Sequence, residues 1–240
     1  AAIYHLETVA KAGMMAKVWH DSAASLFHIQ FTPDEARQRI ATYAASVGVP
    51  SESAINALGN SPAVYHAIAL DEAGKPVPIV HSDEGFVLLF GQPTPADLDT
   101  YVGALMRPFP AGLMTDIGLL TANPVFVDTE AQSRFKSSAY HGAVVWSWQQ
   151  ALFAAGLERQ LARRDLPKEV RARLVAAQSS LWQAIRASRA LQSSELWSWK
   201  YESGRYQIVP FGAGRNDVDE SNAAQLWSTV YLAVQPPRKR

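Results

Sequence analysis

Glu195 opens the run Glu195-Leu196-Trp197-Ser198-Trp199. Residues two apart in an extended chain share a face, so the carboxyl and both indoles are expected on one side. A carboxyl on an aromatic surface is partly desolvated, which favours its protonated form and suits it to moving a proton. A salt-bridged structural Glu is the competing reading. A second run, Tyr140-His141-Gly142-Ala143-Val144-Val145-Trp146-Ser147-Trp148-Gln149-Gln150, gathers a phenol, an imidazole, two indoles and two amides. Aromatic faces beside polar groups suit a sugar: the ring stacks on the C–H face and the polar groups bond the hydroxyls. The indoles of Trp146 and Trp148, two residues apart, suit an irregular or extended segment, with one ring toward a cavity and the other toward the core. The alternative is that both are simply core.

Two further carboxylates compete with Glu195. Glu220 precedes Ser221-Asn222-Ala223-Ala224-Gln225-Leu226-Trp227 and also reads as a first-turn or cap acid placed for the helix dipole. Asp116 lies in a Gly- and Pro-rich stretch from Arg107 to Asn123 without clear period, and also reads as a structural hydrogen-bonding group. Long connections of that kind inside a domain tend to be functional. Asp83 and Glu84 look like first-turn acids of a short helix.

Other chemistries find little support. There is no Cys, which excludes disulfides, thiolate catalysis and Cys-ligated metals. The six His are scattered, without an i, i+4 pair or a carboxylate at ligand spacing, so no metal site and no cofactor is expected. No phosphate-binding loop and no Gly-x-Ser-x-Gly elbow is present. Charge is balanced, 22 basic against 22 acidic residues, which argues against nucleic acid as a partner. No apolar run approaches the ~20 residues of a membrane span.

The elements that must position these residues are mostly helices. Apolar spacing predicts a helix over residues 1–20. Thr32-Pro33-Asp34-Glu35 and Thr94-Pro95-Ala96-Asp97 carry cap-and-proline start signals for helices ending near Ser46 and Met106. Ser51 and Ser82 are expected to cap two short helices, ending near Leu58 and Phe90. Tyr65–Leu70 and Val77–Val80 read as a hairpin around Asp71-Glu72-Ala73-Gly74. An apolar helix follows the aromatic run from Ala151 to about Arg164. A second long helix runs to about Leu191, with Leu174, Ala177, Leu181, Trp182 and Ile185 as its stripe. Two long helices joined by a short link must lie antiparallel. Residues 193–201 and 205–209 read as a hairpin turned at Glu202-Ser203-Gly204, and a last helix begins at Ser221.

Tyr140-His141-Gly142-Ala143-Val144-Val145-Trp146-Ser147-Trp148 resembles the Tyr-His-Asn-Gly-x-Val-Trp-Pro-Trp segment of the six-hairpin glycosidases, especially the amylo-α-1,6-glucosidase part of glycogen-debranching enzymes. Gly118-Leu119-Leu120-Thr121, Asn123-Pro124, Glu195-Leu196-Trp197 and Gln225-Leu226-Trp227-Ser228 are similar to further segments of that family, in the same order. The resemblance implies a mainly α fold, an (α/α)6 toroid or its C-terminal portion with small β-hairpin insertions, spanning residues 1–240 as a single domain. It implies an inverting glycosidase acting on α-glucosidic or related linkages, with Glu195 as general base. Tyr140, His141, Trp146, Trp148 and Gln149 would line the sugar site, with Trp197, Trp199, Asp116 and Glu220 as further candidates. The family's general acid lies upstream of the matching region. The expected partners are therefore a glycoside substrate and an N-terminal half of the barrel, on the same or a separate chain, or a second copy. A non-catalytic carbohydrate-binding protein is the alternative of a different class. A sugar epimerase or isomerase ranks last, because its chemistry wants paired His and only His141 is well placed.

Overall fold

The computed structural model describes residues 25–191, 193–212 and 234–237. The helices expected over residues 1–20 and from Ser221, and the candidate Glu220, lie outside them. The described fold is mixed, with helices and small antiparallel sheets. Strand β1 (His28–Phe31) leads into α1 (Pro33–Val47), whose start carries a reciprocal cap: the Thr32 hydroxyl accepts from Glu35 N, and the Glu35 carboxylate accepts from Thr32 N at 2.9 Å. The hydrogen bonds from the Thr32 hydroxyl and amide hold that carboxyl below the usual range. Helix α2 (Glu52–Leu58) follows without a side-chain cap from Ser51.

Strand β2 (Ala63–His66) pairs antiparallel with β1, Ile29 opposite Tyr65. The expected hairpin to Val80 is reduced to a tight loop: Asp71 Oδ1 accepts from the amides of Ala73 and Lys75, and a single bridge joins Leu70 to Pro76. Pro76 and Pro78 lack amide hydrogens, so a longer ladder cannot form there. Instead β3 (Val80–His81) pairs with β6 (Ala122–Asn123), far along the chain. Helices α3 (Glu84–Phe90) and α4 (Pro95–Met106) come next; Thr94 caps α4 through Asp97 N at 3.2 Å. Ser82 does not cap α3, because its hydroxyl donates to Gln149 Oε1 at 2.7 Å. The stretch after α4 folds as a small hairpin, β4 (Met114–Thr115) with β5 (Gly118–Leu119). Asn123 pins it, donating through Nδ2 to Pro110 O and Gly112 O.

After the short α5 (Thr129–Arg134) comes β7 (Val145–Trp146), then α6 (Ser147–Leu161) and α7 (Lys168–Ala187). Helix α6 is buried on most of its surface, and its buried polar residues, Ser147, Gln149, Gln150 and Gln160, have partners: Gln150 Oε1 accepts from Leu119 N at 2.8 Å. It begins at Ser147, so Trp148 sits in its first turn and not in an extended segment. Every residue of the α7 stripe read from the sequence is buried. Strands β8 (Leu196–Glu202) and β9 (Arg205–Pro210) form the expected hairpin, with Ser203 and Gly204 at φ 54° and 78°, the left-handed conformation of a two-residue turn. No helix among the described residues is long and apolar enough to cross a membrane.

Candidate functional site

The pairing of β7 with β8 brings the two aromatic runs together. Val145 lies opposite Trp197 and Trp146 opposite Leu196. The ladder extends into α6, where Ser147 donates to Glu195 O through both its amide and its hydroxyl, each at 2.9 Å. The backbone of Glu195 is thereby fixed at the start of the helix that carries Trp148 and Gln149. A loop before β7 places Tyr140. Ala143 N donates to Phe135 O, and Gly142 N to Ala139 O, so the chain folds tightly upon itself. At Gly142 a Cβ would run into the Lys136 carbonyl oxygen. The amide side chain found at this place in the resembling segment cannot be accommodated by this backbone.

The Tyr140 hydroxyl donates to Glu195 Oε1, joining residues 55 apart in sequence. Glu195 is 0% exposed, and its Oε2 has no hydrogen-bond partner among the described residues. Around this pair stands an aromatic cluster. The Tyr140 ring meets Trp146 at 4.9 Å, His141 at 5.0 Å and Phe211 at 6.1 Å, all near edge-to-face. Trp146 meets Trp148 at 5.7 Å, and its indole N–H donates to Tyr140 O at 2.8 Å. Trp146 is buried at the base of the cluster; Tyr140 and Trp148 are half-buried and His141 is exposed. The surface offered to a ligand is therefore Tyr140, His141 and Trp148, with Trp146 supporting them.

Trp197 and Trp199 are placed differently from the single face expected with Glu195. They are 0% and 9% exposed and belong to the main core. Their N–H groups donate to Ile117 O at 3.2 Å and Ala143 O at 2.7 Å. Glu195 lies just before β8, where the alternation of the strand does not yet hold, and its carboxyl turns to Tyr140 instead. Asp116, at the β4–β5 turn, is exposed and takes no part in the Glu195 cluster.

The candidate Gln149 is buried and enters a polar network that adjoins the cluster. Gln149 Nε2 donates to Asp83 Oδ1 at 2.9 Å while its Oε1 accepts from Ser82. The same helix turn sets Phe86 against Trp148 at 5.7 Å. His81 Nδ1 lies 3.2 Å from both the amide and the carboxylate of Asp83. Protonated, it donates to the carboxylate; unprotonated at Nδ1, it accepts from the amide. Burial pushes the Asp83 carboxyl up, but the hydrogen bond and charge of His81 act against it, and the group stands below the usual carboxylate range. Glu84 behaves oppositely: burial outweighs its contacts with His66, 3.5 Å away, and its carboxyl stands above the usual range. The sequence marks Gln149 as a sugar-site candidate and Asp83 and Glu84 as first-turn acids, but no local spacing pairs them with each other or with His81 and His66.

No protein-family model and no curated protein matches this chain.

Among the described residues no group of three His, Asp or Glu could hold a metal ion. The described residues of the cluster supply a buried carboxyl with one oxygen unpaired among them, a phenol in hydrogen bond to it, and aromatic faces. Such a set can accept a proton and stack on an apolar face of a polar ligand.

Proposed function

We propose that this chain is a glycoside hydrolase, or the part of one that holds the general base, cleaving α-glucosidic or related linkages with inversion. The observation that carries the reading is Glu195: a buried carboxyl with one oxygen held by Tyr140 and the other without a partner among the described residues, against an aromatic cluster. A buried carboxylate left half-satisfied is costly, and such groups concentrate where their chemistry is used. The resemblance of both runs to the six-hairpin glycosidases supports the same reading. So do the packed long helices α6 and α7 with their β insertions, which suit a portion of an (α/α)6 barrel.

In this proposal Tyr140, His141 and Trp148 receive the sugar. Glu195 Oε2 takes a proton from a water molecule, whose oxygen attacks the anomeric carbon as the bond to the leaving oxygen breaks. A second carboxylic acid, ~6.5–9.5 Å from the base, protonates that leaving oxygen. Glu195 is 0% exposed, so turnover requires the cover over Oε2 to move. Asp83 does not suit the acid's role, because it is held ionised beside His81. Glu84 is held toward its neutral form, but its Oε1 is engaged by His66. An acid from Glu220 or from an N-terminal half of the barrel, on this or another chain, completes the reading.

The second reading is a carbohydrate-binding or accessory protein. It is favoured by one observation: the hydrogen bonds seen from the cluster's rings to described residues reach one carboxyl, Glu195, where hydrolysis with inversion needs two. Both readings are tested by sugar release from α-linked disaccharides and nitrophenyl glycosides, wild type against Glu195→Gln. Turnover by the wild type alone supports the hydrolase. Tryptophan quenching by sugar without turnover supports the binding protein. Neither turnover nor quenching refutes both.

A further inference from the structure

The three-stranded sheet carries aromatic residues on both faces. Trp146, Leu196 and Phe211 lie on the side of the Glu195 cluster. On the other side Trp199 pairs with Ile208 and Tyr201 with Tyr206 across β8 and β9. There a cleft of about 550 Å³ lies between the hairpin, α7 and the β4–β5 turn, walled by Phe109, Asp116, Gln183, Tyr201, Arg205 and Tyr206. None of these residues belongs to the Glu195 cluster.

We propose that this cleft is a second binding site, for a neutral polyhydroxylated ligand such as a short oligosaccharide. The choice of sugar rests on the function proposed above; the site itself rests on its walls. The volume falls in the ~300–1,000 Å³ range of small-molecule sites, which is room for several sugar rings. Asp116 and Arg205 face it with opposite charges, and neither forms an ion pair or side-chain hydrogen bond among the described residues. One carboxylate to accept, one guanidinium to donate and one amide on Gln183 suit hydroxyl groups and give no preference for a charged ligand. The Tyr201 and Tyr206 rings meet at 5.0 Å and 70°, so their two ring planes offer differently oriented walls to a non-planar ligand. Tyr206 also packs on Trp199 at 5.4 Å, which holds the wall rigid. Burial, then the neighbouring Tyr201 and Asp116, push the Tyr206 phenol well up, so it remains an O–H donor through the neutral range.

The test is hydrogen exchange by mass spectrometry on the full chain carrying Glu195→Gln, with and without maltotriose. Protection is expected at two places, residues 140–150 and residues 201–206. Adding Asp116→Asn and Arg205→Gln, both at exposed positions, should weaken the second protection by tenfold or more in sugar concentration and leave the first in place. Protection confined to 140–150 would overturn the second site and leave the proposed function standing. Protection at 201–206 that ignores the double substitution would overturn the assignment of its walls. No protection anywhere would overturn both proposals.

Discussion

Tyr140→Phe removes one oxygen atom and nothing else, and the contact it breaks joins the two halves of the candidate site. In the native protein the Tyr140 hydroxyl donates to Glu195 Oε1, while Oε2 already lacks a partner among the described residues. Without that hydroxyl the carboxyl keeps neither hydrogen bond, in a residue with no solvent-exposed surface. Leaving a buried acceptor unpaired costs ~1–3 kcal/mol, here toward the upper end because the second oxygen offers no compensating bond. Other contributions stay in place. Phe fills nearly the same volume, the ring contacts with Trp146 and Phe211 remain, and Ser147 still holds the Glu195 backbone. The expected loss is therefore about 2–3 kcal/mol, which for a chain of this size lowers Tm by roughly 4–12 °C. Glu195→Gln costs less, since the amide keeps an oxygen for Tyr140 to bond. The two substitutions together should show a coupling of about 1–2 kcal/mol in a double-mutant cycle. Urea unfolding followed by far-ultraviolet circular dichroism measures all four variants. If Tyr140→Phe lies within about 0.5 kcal/mol of wild type and adds independently to Glu195→Gln, the buried contact does not exist and the site built on it fails.

Three more outcomes are expected. At Gly156 a Cβ would stand 2.8 Å from Leu88 Cβ and 3.1 Å from Leu89 N across the α3–α6 contact. Gly156→Ala should therefore lose about 1–2 kcal/mol despite Ala's higher helix propensity, whereas Gly85→Ala, whose nearest neighbour is the flexible Leu152 Cδ2 at 3.1 Å, should change stability by less than ~0.5 kcal/mol; thermal denaturation of the pair separates them. Gly142→Ala should cost ~2 kcal/mol or more and flatten the near-ultraviolet dichroism of the Tyr140–Trp146 cluster, because the loop must open to admit a methyl group; an unchanged spectrum would contradict the loop geometry. Glu84 is raised in the folded state by burial, so the folded chain binds its proton more tightly than the unfolded chain does. Its contribution is fully present below the ordinary glutamate value and is lost as pH rises through the folded value; Glu84→Gln should remove that fall, and a pH series of urea midpoints identical to wild type would count against it.

Local chemistry made much of the helix and hairpin plan legible. Thr32 and Thr94 start helices because a hydroxyl, a proline and a following acid satisfy the free amides of a first turn within a few residues. The α7 stripe and the β8–β9 turn are likewise written in spacings shorter than one element. The spacing of Glu195, Trp197 and Trp199 misled for a physical reason. Both faces of β8 are covered at its start, with Leu196 and Trp197 each buried, so alternation separates two faces without saying which one meets a ligand. Ser82 was misplaced because its hydroxyl has a better partner in Gln149, 67 residues away, than in its own helix. What the sequence by itself determined was therefore the local elements and the two aromatic runs that carry candidate chemistry. That β7 pairs with β8, that Tyr140 reaches Glu195, and that Gln149 clasps Asp83 were decided only in tertiary structure. Each depends on a contact between residues dozens of positions apart, whose partner no local pattern encodes.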